Sequence, residues 1–492
     1  MNKLNWTKTA CALFVVCAAT AIALPAQTFT VLHSLDYTEG LEPYAGLVQA
    51  TDGNLYGTVP YGGRGTCFGY GCGTVFKMSP SGALTTLYSF GGTDGSIPYA
   101  GLIQATDGNF YGTTYAGGAN TTECGGYGCG TVFRITPSGT LTTVYSFCSQ
   151  SNCTDGDEPY AGLVQAIDGN FYGTTYGGGA NGDGMVFKIT PGGTLTTLHS
   201  FDITDGSYPV AGLVQGTDGN FYGTTEYGGT NTTECPGYGC GTVFKITPSG
   251  TLATIYSFCS LANCTDGSIP YAGLIQASNG NFYGTAEYGG PSTSCVGGCG
   301  TLFKVTPAGT LTTLHSFDGA DGGEPEAALV QATDGNFYGT TSSFGANGYG
   351  TVFKITPSGT VTTLYSFCSQ SGCADGELPY AGLVQDTNGT FYGTTAFGGA
   401  NDDGTVFSLS VGFAPFVETH PNFGPVGSPV KILGTNLTGA TSVTFNGTPA
   451  VFTVFSSSLI GAKVPAGATT GTVQVVTPGG TLSSNVPFRV RH

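Results

Sequence analysis

Charge is what this chain has least of. Only 9% of its 492 residues are Asp, Glu, Lys or Arg, against about 25% in an ordinary soluble domain. Lys and Arg number 13 against 30 acids, with no basic run, so the chain lacks the cations that neutralise phosphates, which excludes nucleic acid as a partner. No heptad or alternating-charge stretch occurs, which excludes coiled coils. There is no Gly-x-Ser-x-Gly elbow, phosphate loop or His-based metal motif. Tryptophan occurs once, at Trp6. Glycine (84) and proline (25) are abundant instead, and helices would be hard to sustain among them. Thr, Tyr, Phe and Val fill the space between, which favours short strands joined by turns.

The one long apolar run, Ala10 to Ala23, follows Lys3 and Lys8 and ends in Leu24-Pro25-Ala26 before Gln27. Residues 1–26 therefore read as a secretory signal. The run is short for a membrane span and no second candidate follows, so the expectation is a secreted or cell-surface protein with no membrane span after processing.

A phrase of the form AGLVQATDGNFYGTT recurs seven times, with its Gly-Leu step at Gly46, Gly101, Gly162, Gly212, Gly273, Ala328 (a departure) and Gly382. Each copy is followed by a phrase like GTVFKITPSG, and all but the last by one like TLTTLYSF. Each unit thus offers four strands: A (AGLVQA), B (NFYGTT), C (TVFKIT) and D (TLTTLYSF). Compact Asp-Gly-Asn and Pro-Ser-Gly turns join A to B and C to D. The seventh unit lacks strand D, and the missing strand stands at the other end of the chain, as residues 28–35. An open stack has no use for such an offset, whereas a ring is closed by it. The predicted fold is all-β: a seven-bladed β-propeller over residues 27–412, closed by the N-terminal strand. The A–B and C–D turns share one face. The B–C and D–A loops, which hold every length change, share the other and make it the candidate functional surface.

Fourteen cysteines beyond residue 26 form local pairs: Cys67/Cys72, Cys124/Cys129, Cys148/Cys153, Cys235/Cys240, Cys259/Cys264, Cys295/Cys299 and Cys368/Cys373. A loop lacking one member of a pair lacks both, and export makes oxidation expected, so these read as seven disulfides on the variable-loop face, holding long loops in shape for contact or against proteolysis. Zinc is the rival, and four-residue spacing without nearby histidines suits it poorly.

Every D–A loop carries an acid before glycine: Glu39, Asp94, Asp155, Asp205, Asp266, Asp321 and Asp375. The simpler reading is an Asx-type turn repeated seven times. The sharper one is a carboxylate ring near the channel entrance, for which calcium would be the complement. No cofactor is otherwise required. Tyr44, Tyr99, Tyr160, Tyr271 and Tyr380 precede strand A, where Val210 and Glu326 are the exceptions. They pack between blades or stack on sugar rings. His33, His199 and His315 occupy a D-strand position held elsewhere by tyrosine, a structural role. Six C-strand bases, from Lys77 to Lys354, share one register and predict repeated ion pairs, which leaves Arg64 as the isolated cation of the repeats. Catalysis needs asymmetry. The repeat is most clearly broken at Glu226 and Glu287, at the same place after strand B in neighbouring units, and at Glu326. Carboxylates on adjacent blades suit acid and base roles in glycoside hydrolysis, and loop drift explains them as well.

From residue 413 to 492 the composition changes, with Glu418 the one acid against Lys431, Lys463, Arg489 and Arg491. Alternating runs at 429–433, 442–445, 451–455, 472–476 and 486–490 predict a small β-sandwich. The phrases PNFGPVGSPVKILGTNL, VTFNGTPA, IGAKVPAGATTGTVQVVTPGG and VPFRV resemble the IPT/TIG immunoglobulin-like domains, which implies a spacer or interaction module. The repeat phrase DGNFYGTTYGGGANGDGMVFKIT and its relatives resemble the GloVer tandem-repeat family of secreted bacterial proteins, which implies export and an extracellular or surface role. The expected function is non-enzymatic: disulfide-held acidic loops presented to an extracellular polysaccharide or a surface protein. A glycan-active hydrolase and a purely structural component are the alternatives.

Overall fold

The computed structural model describes residues 27–231 and 233–491; the expected signal segment lies outside them. Residues 28–410 form seven four-stranded antiparallel sheets. In the first, strands Val48–Gln49, Leu55–Val59, Thr74–Met78 and Leu84–Ser89 are neighbours in that order. Strand A is shorter than its phrase suggested, because the Ala-Gly step before it presses against the neighbouring unit: an added Cβ at Gly101 would lie 2.9 Å from the Gly46 carbonyl oxygen.

Six sheets are made from consecutive strands. The seventh combines Val384–Gln385, Phe391–Thr395 and Thr405–Ser410 with Thr28–Ser34, which pairs with Thr405–Ser410. Two sets of hydrogen bonds pass from sheet to sheet. Each A-strand glutamine accepts the backbone N–H of the preceding unit's A–B turn, beginning with Thr51 N–H to Gln104 Oε1 at 2.8 Å. The last of these runs from the seventh unit back to the first, Thr387 N–H to Gln49 Oε1 at 3.0 Å. Likewise Thr58 Oγ1 donates to the Ala100 carbonyl, and Thr394 Oγ1 in the seventh sheet donates to the Ala45 carbonyl in the first.

The core lies between sheets. Strand B is buried at every residue, and its tyrosine stacks on the B-strand phenylalanine of the next sheet, as Tyr222 on Phe282 at 4.0 Å between centroids. The glycine after that tyrosine makes room for the C-strand phenylalanine. A Cβ at Gly223 would lie 2.6 Å from the Phe244 ring and 2.9 Å from Leu213. Gly223→Ala is therefore expected to destabilise the repeat region by about 1–3 kcal/mol through overpacking, read as a lower urea midpoint; an unchanged midpoint would contradict this packing.

Residues 417–491 form the sandwich. One sheet orders Val417–His420, Pro429–Gly434, Leu459–Lys463 and Phe452–Val454; the other orders Thr448–Pro449, Ser442–Phe445, Val473–Thr477 and Gly480–Ser483. Val417, Ile432, Phe445, Val475 and Phe488 fill its core. The alternating runs had located Ser442–Phe445 and missed Leu459–Lys463 and Gly480–Ser483. The sandwich rests on the A–B turns: Ser458 Oγ donates to the Thr51 carbonyl at 3.0 Å, Lys431 Nζ to the Thr106 carbonyl at 3.1 Å, and Phe416 N–H to the Thr387 carbonyl at 2.9 Å. The tail thus meets the face with short turns, opposite the variable loops.

Candidate functional site

The seven loop acids do not border a channel. Each folds back on its own outermost strand. Asp375 accepts from Tyr365 Oη at 2.7 Å and from the backbone N–H groups of Ser369 and Gln370 at 2.9 and 3.0 Å. Asp155 and Asp266 repeat this pattern, and Asp94 pairs with Tyr88 and the Gly91 N–H. Where histidine replaces the D-strand tyrosine it meets the same acid: His33 with Glu39 at 2.7 Å, His199 with Asp205 at 2.8 Å and His315 with Asp321 at 2.6 Å. Burial opposes ionisation of Asp375, yet bonds from Tyr365 and Ser369 hold its carboxyl below the usual range. The expected placement near the channel entrance is corrected accordingly. None of the seven lines the pocket there, and among the described residues no three of them bring oxygens within a common metal-ligand distance. Four of the six C-strand bases make the expected ion pairs: Lys77, Lys188, Lys245 and Lys354 pair with Asp52, Asp168, Asp218 and Asp334 of the A–B turns, whereas Lys304 faces a turn with Asn279 in place of the acid. Arg64 is exposed, away from the pocket.

A pocket of about 200 Å³ is lined by the segments before all seven A strands. The five predicted tyrosines meet there. Tyr44 stacks on Tyr380 at 5.0 Å and meets Tyr99 edge-on at 5.6 Å, Tyr99 stacks on Tyr160 at 4.7 Å, and Tyr160 meets Tyr271 edge-on at 5.9 Å. Behind them Tyr61 Oη lies 2.5 Å from Tyr99 Oη. The arc breaks at Val210 and Glu326, both pocket-lining.

The three repeat-breaking glutamates are brought together at that break. Glu326 accepts from Ser342 Oγ at 2.9 Å; burial, then the charges of Glu287 and Glu324, push its carboxyl up to about 8. Burial and the charges of Glu324 and Glu226 push Glu287 up to about 7, and burial raises Glu226. Glu326 and Glu226 in turn raise Tyr160, which burial takes up to about 12. Glu226 and Glu287 follow strand B at the position that Tyr115 and Tyr176 hold in units two and three. The pocket is therefore lined by five phenols and one carboxyl, Glu326, between Tyr271 and Tyr380 in unit order, with Glu287 in electrostatic reach of it. Sequence reasoning did not single out Tyr61, Tyr115 or Glu324 as part of this cluster. The alignment of Tyr115 with Glu226 in the repeat was the signal that could have found it.

Seven disulfides join the predicted cysteine pairs. Within those loops Cys72 and Cys299 are buried, both 0% exposed. Each stands two residues before strand C, where the next D–A loop closes over it. The Ile97 N–H donates to the Cys72 carbonyl at 3.1 Å, and the Glu324 N–H to the Cys299 carbonyl at 3.0 Å. Cys72 packs with Val75 and Phe90, and Cys299 with Leu302 and Phe317. Cys129 and Cys240, in the same register, are buried as well. These four cysteines tie the B–C loops to the core and present no contact surface of their own. In three D–A loops the bridges span left-handed non-glycine residues, such as Cys148 (φ 55°), Asn152 (φ 56°) and Cys153 (φ 50°), a conformation an open loop would leave.

In units two and four the pairs converge, with Cys124 Sγ 3.8 Å from Cys148 Sγ and Cys235 Sγ 3.9 Å from Cys259 Sγ. Each set of four sulfurs lies within 4.8 Å, a grouping that could hold a metal, so local spacing understated it. The pairs Cys67–Cys72 and Cys295–Cys299 belong to no such grouping. As disulfides none of the seven offers a thiolate ligand.

The sequence pattern of the Gloeobacter/Verrucomicrobia repeat matches residues 18–235, 120–290 and 232–450. The chain belongs to this repeat family. The IPT/TIG pattern matches residues 416–490 of the same repeat protein. No curated protein matches it. Among solved structures, a fungal alcohol oxidase of the AA5 family in complex with copper aligns over 94% of the repeat protein and 99% of its own chain, at 13% identity and a TM-score of 0.53. That likeness is one of fold. A putative 6-phosphogluconolactonase from Bacteroides uniformis (17% identity, 66% and 84% of the two chains, TM-score 0.42) and the periplasmic gluconolactonase of Pseudomonas aeruginosa (17%, 73% and 97%, 0.40) are more distant in shape. No helix among the described residues is long and apolar enough to cross a membrane, and seven disulfides accord with an oxidising, extracellular setting.

Proposed function

We propose that residues 27–412 form a closed seven-bladed β-propeller followed by an immunoglobulin-like domain over 413–492. In this reading the protein is a secreted, non-enzymatic binding protein whose tyrosine-lined pocket receives the end of an extracellular polysaccharide. The hydrogen bonds that return from the seventh sheet to the first support closure. The observation that carries the function is the pocket itself: a space on the scale of one sugar ring, with tyrosine faces for its apolar side and the Glu326 carboxyl and tyrosine hydroxyls to bond its hydroxyls. The disulfide-held loops surround that mouth, and the tail occupies the opposite face.

Co-sedimentation of the full chain with insoluble cellulose, chitin and xylan tests this. Retention on at least one is expected, reduced about tenfold or more in Tyr160→Ala through loss of ring stacking. Absence of retention on all three, or retention indifferent to Tyr160→Ala and Glu326→Gln alike, would sink it. A second reading, a glycoside hydrolase, is favoured by one observation: burial and mutual repulsion raise the neighbouring carboxyls of Glu326 and Glu287 together, so that a proton is retained near neutral pH, as an acid role requires. Sugar release from the retained polysaccharide, abolished by Glu287→Gln, would replace binding by turnover.

A further inference from the structure

A second and larger cavity lies at the other end of the inner strands. Here the sandwich spans the A–B turns without filling the space beneath it, leaving a cleft of about 990 Å³ between the two. Val48, Ile103 and Val164 of the inner strands form one wall, and Val430, Val451 and Phe455 of the sandwich form the other. Val451 and Phe455 are 84% and 67% exposed, although they face apolar side chains across the gap. Two apolar walls held apart by a polar hinge are a binding site's geometry more than a packed interface's. The hinge consists of the bonds from Ser458, Lys431 and Phe416 to the turns.

The charge of the cleft runs against that of the chain. The protein carries 30 acids and 13 bases, yet no acid lines this cleft, and both lysines of the tail, Lys431 and Lys463, do. Lys431 gives one of its three N–H donors to the Thr106 carbonyl; the others remain for a ligand. A volume in the upper range of small-molecule sites, apolar walls and two ammonium groups at one margin together specify the chemistry of an occupant.

We propose that this cleft binds a single fatty-acid-like amphiphile, its hydrocarbon chain between the inner strands and the sandwich and its carboxylate at Lys431 and Lys463. The site is separate from the tyrosine–glutamate pocket and does not depend on that pocket's reading.

Isothermal titration of the full chain with octanoate, decanoate and dodecanoate, each below its aggregation limit, tests the proposal. One molecule per chain is expected. Affinity should rise about fourfold per methylene, or roughly fifteen-fold per step of the series, and decanol should bind at least tenfold more weakly than decanoate. Phe455→Asp places a charge in the wall from an exposed position and should weaken every member at least tenfold with an unchanged unfolding midpoint. Val451→Asp is the second such variant. Lys431→Glu with Lys463→Glu should abolish the preference for decanoate over decanol. Absence of saturable binding, affinity indifferent to chain length, or affinity unchanged in both wall variants would overturn the proposal. Equal binding of decanol and decanoate to the unaltered chain would overturn its assignment of the head group.

Discussion

Removal of residues 27–34 is expected to cost the repeat region its cooperative unfolding transition rather than to fray one edge. The strand Thr28–Ser34 supplies the outer edge of the seventh sheet, in register with Thr405–Ser410. Phe29 stacks on Tyr365 of the sixth sheet at 3.8 Å and lies 5.2 Å from Phe407 of the seventh, so the strand also seals the seam between two sheets. Losing one half-buried aromatic ring, its half-buried aliphatic neighbours and a ladder of backbone bonds costs on the order of 5 kcal/mol, comparable with the whole stability of many domains. Because the strand comes from the opposite end of the chain, its loss leaves an open edge of unpaired N–H and C=O groups on Thr405–Ser410. Calorimetry should show the main transition lost or broadened, and a peptide of residues 27–36 added in trans should restore it by strand addition. A truncated chain that unfolds at the original midpoint would contradict the closed arrangement.

Glu326→Gln is expected to stabilise the protein in alkaline solution and to leave it unchanged in acid. Burial and the neighbouring glutamates hold the Glu326 carboxyl at about 8 when folded, against an ordinary value of 4.5. Between those two values the folded chain keeps a proton that the unfolded chain has released. Stability from this group therefore falls as pH rises through the window and is fully restored only below about pH 4.5. Glutamine keeps the acceptor for Ser342 Oγ and removes the titration. At pH 8.5 the variant should be more stable by about 4–5 kcal/mol, and at pH 4 equal to the parent. Glu287, at about 7, adds a smaller change of the same sign. Denaturation midpoints measured from pH 4 to pH 9 decide this: a parent whose stability is flat across that range would show that the three carboxylates do not share a buried site.

The sequence alone determined what depends on neighbours along the chain. Strand identity in the repeats follows from β-branched and aromatic residues between turn signals, the hairpins from Asp-Gly-Asn and Pro-Ser-Gly, the disulfides from cysteines five residues apart or fewer, and the unit count and its offset from simple repetition. Glu226, Glu287 and Glu326 stood out because each broke a repeat, and a break is visible in a list of phrases. Tertiary structure decided which groups face each other. Spacing paired Cys72 with Cys67 and Cys299 with Cys295, but only the folded D–A loops buried Cys72 and Cys299 beneath them. The loop acids meet the D-strand tyrosine or histidine six or ten residues away, because the loop folds back under its own backbone N–H bonds rather than reaching for the channel. Glu326 joins the tyrosines in lining one pocket, with Glu287 in electrostatic reach, because neighbouring sheets converge at the Ala-Gly steps. The sandwich covers the turn face and sets its two lysines over an apolar cleft, because its docking includes hydrogen bonds from Ser458 and Lys431 to residues more than 300 positions away, a separation across which no local pattern carries information.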